Sequence, residues 1–143
     1  MSATYEEAID QMSALFKDAW NPSYPVDWPN IKFDRPAPSN DTSSTFWARF
    51  RIMHAAGGQG SLQNSVGARM YDRTGNIIIQ VFGPIGVGTK PIVSLAKVAA
   101  GAYEGTTTLG GIWFKRQRVQ EMGPEDAWYR VDAKVDFEYV EVK

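Results

Sequence analysis

The chain has 143 residues, with 15 basic against 16 acidic side chains and a formal net charge of -1. That balance gives no general attraction to nucleic acid or to an anionic membrane surface. The absence of cysteine excludes disulfides, thiolate metal sites and a cysteine nucleophile.

Hydrophobic residues make up 43% and charged residues 22%, which suits one globular domain over residues 1–143 with a real core. No apolar run is long enough to span a membrane, and the acidic, amphipathic N-terminus is unlike a signal peptide. Thr4 followed by Glu7 forms a capping box. Tyr5, Ala8, Ile9, Met12, Leu15, Phe16 and Ala19 then recur at helical spacing, so a helix with one buried face should run to about Asn21-Pro22. Residues 21–45 are rich in Pro, Asn, Ser and Asp and read as a loop with one extended piece over Ile31–Asp34. Trp20, Tyr24, Trp28 and Phe33 lie in or beside this loop, which is therefore expected to pack down on its own sheet.

Phe46 to His54 alternates, with Phe46, Ala48, Phe50 and Ile52 on one side and Trp47, Arg49, Arg51 and Met53 on the other. Residues 55–61 read as a flexible linker or hairpin tip. Val66–Tyr71 and Ile77–Phe82 read as two strands of an antiparallel hairpin, joined by a type I turn over Asp72-Arg73-Thr74-Gly75. A second helix is expected over Thr89–Gly105, with Ile92, Leu95, Ala96, Ala99 and Tyr103 as its apolar face. Ile112–Met122 is a strand carrying Lys115, Arg116 and Arg118, and Gly123–Asp126 is a turn. The final strand is the clearest. Tyr129, Val131, Ala133, Val135, Phe137 and Tyr139 face inward, while Arg130, Asp132, Lys134, Asp136 and Glu138 face outward. Those outward charges are placed to pair across strands with Arg49, Arg51 or Lys115. The order helix, strands, helix, strands gives an α+β domain, mainly antiparallel, with two helices packed on one face of the sheet.

The run from Gly75 to Pro91 joins a strand, a glycine-rich turn and a helix start. Gly83 and Gly88 have the spacing of a phosphate loop, but Thr89-Lys90 reverses its order and Pro91 has no amide to offer an anion. The alternative is a tight strand-to-helix connection, with positive φ at Gly83, Gly86 and Gly88 and Thr89 as the helix cap. Other chemistry is sparse. His54 is the only histidine and reads as a solvated residue at a strand end. No serine sits in a nucleophile elbow, and Glu125-Asp126 reads as a solvated turn. No catalytic residue, metal site or cofactor is expected.

Several segments together resemble the tail terminator proteins of long non-contractile-tailed bacteriophages. They are the N-terminal helix, residues 28–34 and 46–52, the run 75–88 with its Gly83-Pro84-Ile85-Gly86-Val87-Gly88 turn, and residues 128–139 with their Trp-Tyr start. The resemblance covers nearly the whole chain, apart from residues 35–45 and 55–64. It implies a virion protein made in the host bacterial cytoplasm that forms a ring, usually of six subunits, at the head-proximal end of the tail tube. Such a ring ends tube polymerisation and joins the tail to the head connector, so the partners are further copies of the chain, the tail tube protein and the connector. The role requires no catalysis, membrane or sequence-specific nucleic acid. Tail tube and head-tail joining proteins have similar cores and are the near alternative. A nucleotide-binding domain using residues 83–90, or a monomeric binding module around Trp28, are readings of other classes. Loops on a rigid sheet commonly carry binding, which makes Gly57, Gly58 and Gly60, and Gly83, Pro84, Gly86 and Gly88, candidates for subunit contacts. Arg49 and Arg51, or Arg116 and Arg118, are candidates for a subunit-facing or lumen-facing surface.

Overall fold

The computed structural model describes residues 3–33, 46–59 and 69–142. Helix α1, Tyr5–Ala19, is followed by strands β1, Val26–Asp27, β2, Trp47–Gln59, and β3, Met70–Pro84. Helix α2, Lys90–Gly101, then precedes β4, Trp113–Glu125, and β5, Trp128–Val142. The strands form one sheet in the order β1-β2-β3-β5-β4, antiparallel except for the β1–β2 pair. This is the expected mainly antiparallel α+β architecture.

Period-two alternation builds the sheet. Phe50 lies opposite Ile79, and Ile79 opposite Ala133, so one face carries Phe46, Ala48, Phe50, Ile77, Ile79, Val81 and the odd-numbered residues Val131 to Tyr139. Both helices contribute to the core on that face. Ala8, Met12 and Phe16 enter it from α1, and Ile92, Ala96 and Ala99 from α2. Phe16 stacks on Phe50 with ring centroids 5.2 Å apart. The buried Tyr103 hydroxyl donates to the Met12 carbonyl oxygen at 2.7 Å, tying the end of α2 to the middle of α1. Thr4 caps α1 as expected, its hydroxyl accepting from the Glu7 amide at 3.2 Å.

The structure corrects several local expectations. The extended piece is Val26–Asp27 rather than Ile31–Asp34, because Arg49 and Arg51 of β2 grip Asp27. Ile31 is exposed, and Asp34 lies outside the described residues. Residues 55–59 extend β2 instead of forming a linker. No turn occupies Asp72–Gly75. These residues run straight through β3, bonded to β2 on one side and β5 on the other. Gly75 is there for close approach, since a Cβ at this position would collide with the Met53 carbonyl oxygen, the Phe137 ring and His54 Cα. A bulge between His54 and Ala56 lies opposite. Helix α2 stops at Gly101. Thr89 occupies the cap position without a side-chain hydrogen bond. The last hairpin turns at Asp126-Ala127, with Glu125 opposite Trp128, while Gly123 adjoins a bulge within β4.

Candidate assembly surfaces

The sheet face turned away from the helices carries most of the arginines singled out from the sequence. Arg49 and Arg51 are committed within the chain. The Arg49 Nε lies 3.2 Å from Asp27 Oδ2 and its Nη1 donates to Gln80 Oε1 at 3.1 Å. Arg51 donates to the same carboxylate at 3.3 Å and to the Asp27 carbonyl oxygen at 2.9 Å. Two guanidinium groups on one carboxylate clamp the two-residue β1 to the sheet. They do not reach the β5 carboxylates across the sheet, because β3 lies between β2 and β5. The outward charges of β5 instead pair with β4 and with one another. Lys115 meets Glu138 at 3.1 Å, and Arg130 makes a two-pronged contact with the buried Asp132 at 2.8 and 2.9 Å. That hydrogen bonding to Asp132 raises the Arg130 pKa above its usual value.

Arg116 and Arg118 converge although they lie on an edge strand. A bulge between Lys115 and Arg118, with Arg116 at φ 55°, brings both onto Asp136, at 2.7 and 3.3 Å. The Arg116 side chain is 73% exposed, far more than Arg49 at 28%. Of the two arginine pairs, the β4 pair is therefore the more available to another molecule.

The glycine candidates divide. Gly57 and Gly58 are paired with Arg73 and Asp72 inside the sheet, and Gly60 lies outside the described residues. Gly83 and Pro84 belong to the end of β3, opposite Tyr129 and Trp128. Gly83 is not in the left-handed region. It is required because an added Cβ would stand 2.6 Å from Ile92 Cγ1, where α2 packs on the strand. Only Gly86 and Gly88 have the expected positive φ, 103° and 81°, and open space surrounds both. The phosphate-like spacing thus straddles a strand end and a short turn.

Two features escape a reading by periodicity. Trp47, Phe82 and Trp128 form a second buried cluster on the face opposite the helices, with Trp47 stacked on Phe82 at 4.1 Å and Phe33 against it. The Arg49 guanidinium lies 5.6 Å from the Trp47 ring centre. A signal existed in the outward positions of Trp47 and Phe82, but strand alternation assigns such positions to solvent. The second feature is a polar group beneath the start of α1. Glu141 accepts from the Tyr5 amide at 3.0 Å and from Arg73 Nε and Nη2 at 3.1 and 3.0 Å. His54 is half-buried, stacked on Tyr5 at 3.9 Å, with Nε2 2.8 Å from the Tyr139 hydroxyl. It is not the solvated strand end expected. Burial lowers the His54 pKa, helped by Arg73, and burial pushes the Tyr139 hydroxyl up to about 12. Among the described residues no group of three metal-ligating side chains is assembled, and no helix is long and apolar enough to cross a membrane.

The two margins of the sheet differ. On one side β1 covers β2 only at Ala48 and Arg49, so from Phe50 onward the outer edge of β2 has no partner strand among the described residues. On the other side lies the bulged β4, with Thr107 bridged to Trp113 on its outer flank. Past the start of β4 at Trp113, β5 continues to Val142, and an open concavity of about 1020 Å³ is lined there by Gly110, Trp113, Glu138, Val140 and Val142.

No protein-family model and no curated protein matches the chain. Among solved structures, one whose name states no activity is similar over 94% of this chain and 96% of its own, at 22% identity and a TM-score of 0.61. At that identity the likeness establishes the fold: the whole arrangement of sheet and helices recurs in another protein of matching extent.

Proposed function

We propose that this chain is a virion structural protein of the tail terminator type, acting by assembly into a closed ring at the head-proximal end of a phage tail tube. The observation that carries the proposal is the unlikeness of the two sheet margins. A cyclic ring is built from heterologous contacts, in which one surface of a subunit meets a different surface of the next. A sheet whose β2 edge is largely without a partner strand among the described residues on one side, with a bulged β4 on the other, provides two such surfaces. The sequence resemblance supplies the rest of the reading: further copies, the tube protein and the head connector as partners.

Light scattering after gel filtration tests it directly. The 15.9 kDa chain should yield a species of about 95 kDa for a six-membered ring, with a central hole in negative-stain images. Long filaments would favour a tail tube role instead. A monomer that also fails to cap purified tail tubes would overturn the proposal.

A further inference from the structure

The first turn of α1 is tied to the sheet through one polar cluster. Tyr5 opens the helix, and its amide donates to Glu141 Oε2 at 3.0 Å. Glu141 is only 6% exposed, and Arg73 of β3 holds its other oxygen. The Tyr5 ring lies flat on the His54 imidazole, 3.9 Å between centroids and 24° from parallel. Phe137 packs on the same imidazole at 5.1 Å and a steep angle, and His54 Nε2 meets the Tyr139 hydroxyl at 2.8 Å. The titratable groups around the imidazole are Tyr5 and Glu6 from α1, Arg73 from β3, and Tyr139 and Glu141 from β5. The loop after β1 adds the apolar Trp28, Pro29 and Ile31.

A neutral imidazole suits this site. With Tyr5 over one face of the ring, a charge on His54 would be partly withheld from water. Arg73 opposes that charge as well, while Glu141, already shared by Arg73 and the Tyr5 amide, favours it. Burial and Arg73 prevail, and the His54 pKa lies below its ordinary 6.5. A protonated Nε2 must also donate, so the Tyr139 hydroxyl would have to turn its hydrogen away from the ring. The rest of α1 is held by other means. Gly110, beside the 92% exposed Leu109, donates to Gln11 Oε1 at 3.1 Å. Met12 and Phe16 are buried in the core, and the Tyr103 hydroxyl donates to the Met12 carbonyl oxygen. Among residues 3–10 only Ala3 and Ala8 are buried, both small, so the first turn has little apolar surface to keep it down.

We propose that the first turn of α1 is an acid-released latch: protonation of His54 favours lifting Tyr5 off the imidazole and its amide off Glu141, while the helix from Gln11 onward stays docked. The lifted state gives the imidazolium the water that Tyr5 withholds, so it takes up a proton more readily than the closed state. Opening is therefore independent of pH above 6.5 and increases as the pH falls below it. The device belongs to the single chain and stands apart from the ring reading.

Amide exchange with water, followed by NMR and divided by the rate of an unstructured peptide at the same pH, reads the opening of each turn. The Tyr5, Glu7 and Ala8 amides, bonded to Glu141 and Thr4, report the first turn. The Phe16 amide and that of Trp20, which donates to the Phe16 carbonyl oxygen, report the rest of the helix. Between about pH 7.5 and 5.5 the opening of the first turn should rise about two- to tenfold, the range open to uptake of one proton, with no matching rise at Phe16 and Trp20. His54→Phe should abolish the rise. Glu141→Gln should increase opening at both pH values and leave their ratio as in the parent. First-turn opening equal at the two pH values in the parent would overturn the proposal. So would an equal rise along all of α1, which marks global unfolding, or a rise that persists in His54→Phe, which assigns the proton to another group.

Discussion

Gly75 stands where three strands are drawn tightly together, with no room for a methyl group between Met53, His54 and Phe137. Replacing it with Ala should destabilise the fold by roughly 1–3 kcal/mol, the usual range for forcing extra atoms into a packed site. Denaturant unfolding at fixed pH would read this, and an unchanged midpoint would mean that β2 can shift. The sequence offered Gly75 as the last residue of a turn, because Asp72-Arg73-Thr74-Gly75 has turn composition. What decides the matter is non-local: bonded strands on both sides, which no four-residue window can see. Tyr103 is a simpler case. Its burial was legible from apolar spacing, but α2 stops at Gly101, two residues before it, and its hydrogen bond to Met12 joins distant segments. Burial also raises its hydroxyl pKa, so the group stays protonated and donating. Tyr103→Phe should cost about 1 kcal/mol, the usual net worth of one such bond.

At the level of elements, the patterns that survived are those with a long, unbroken period. Helix α1 and strand β5 were legible almost to their ends, since seven apolar positions at helical spacing and six at alternating spacing leave few other solutions. The bulges in β2 and β4 were not legible, because a bulge shifts the alternation by one residue and the shift is fixed by the neighbouring strand. Thr4→Ala should cost about 1 kcal/mol through loss of the α1 cap. The polar group under α1 predicts a pH dependence. His54 has a folded pKa below the ordinary 6.5, so the unfolded chain takes up a proton that the folded chain resists. Its stabilising contribution is present above 6.5 and is lost as the pH falls below it. Tyr139 behaves in the opposite sense: with its hydroxyl at about 12, its contribution is present below the ordinary value of 10.0 and is lost as the pH rises from there toward 12. Melting curves between about pH 7.5 and 5.5 should show a decline in the parent protein. His54→Phe, which keeps the stack on Tyr5, should show a smaller decline. An equal decline in both would place the acid sensitivity elsewhere.

For the molecule as a whole, composition and topology account for the architecture, but the surfaces available for assembly emerge only in three dimensions. Arg49 and Arg51 resembled surface candidates in the sequence, yet Asp27 occupies them. Leu109 had no pattern to mark it, and its exposure follows from a loop pinned to α1 from 99 positions away. Charge is likewise close to balanced over the chain. If the exposed Arg116 takes part in a contact between copies, raising the ionic strength should weaken self-association, because exposed charge pairs are screened within about 10 Å at 0.1 M salt. Sedimentation equilibrium across a salt series would show it, and a salt-independent association would exclude Arg116 from the contact.

The two-residue connection at Asp126-Ala127 also orders events in time. Glu125 and Trp128 are paired neighbours across it, whereas the nearest β3–β5 partners, Pro84 and Trp128, are separated by the whole of α2 and β4. Closing a short loop carries the smaller entropic cost, so β4 and β5 should zip together before β3 docks. Asp126 sits at φ 55°, a conformation that Gly adopts with less strain. Asp126→Gly should therefore speed refolding with little change in the unfolding rate, whereas Thr4→Ala should chiefly speed unfolding.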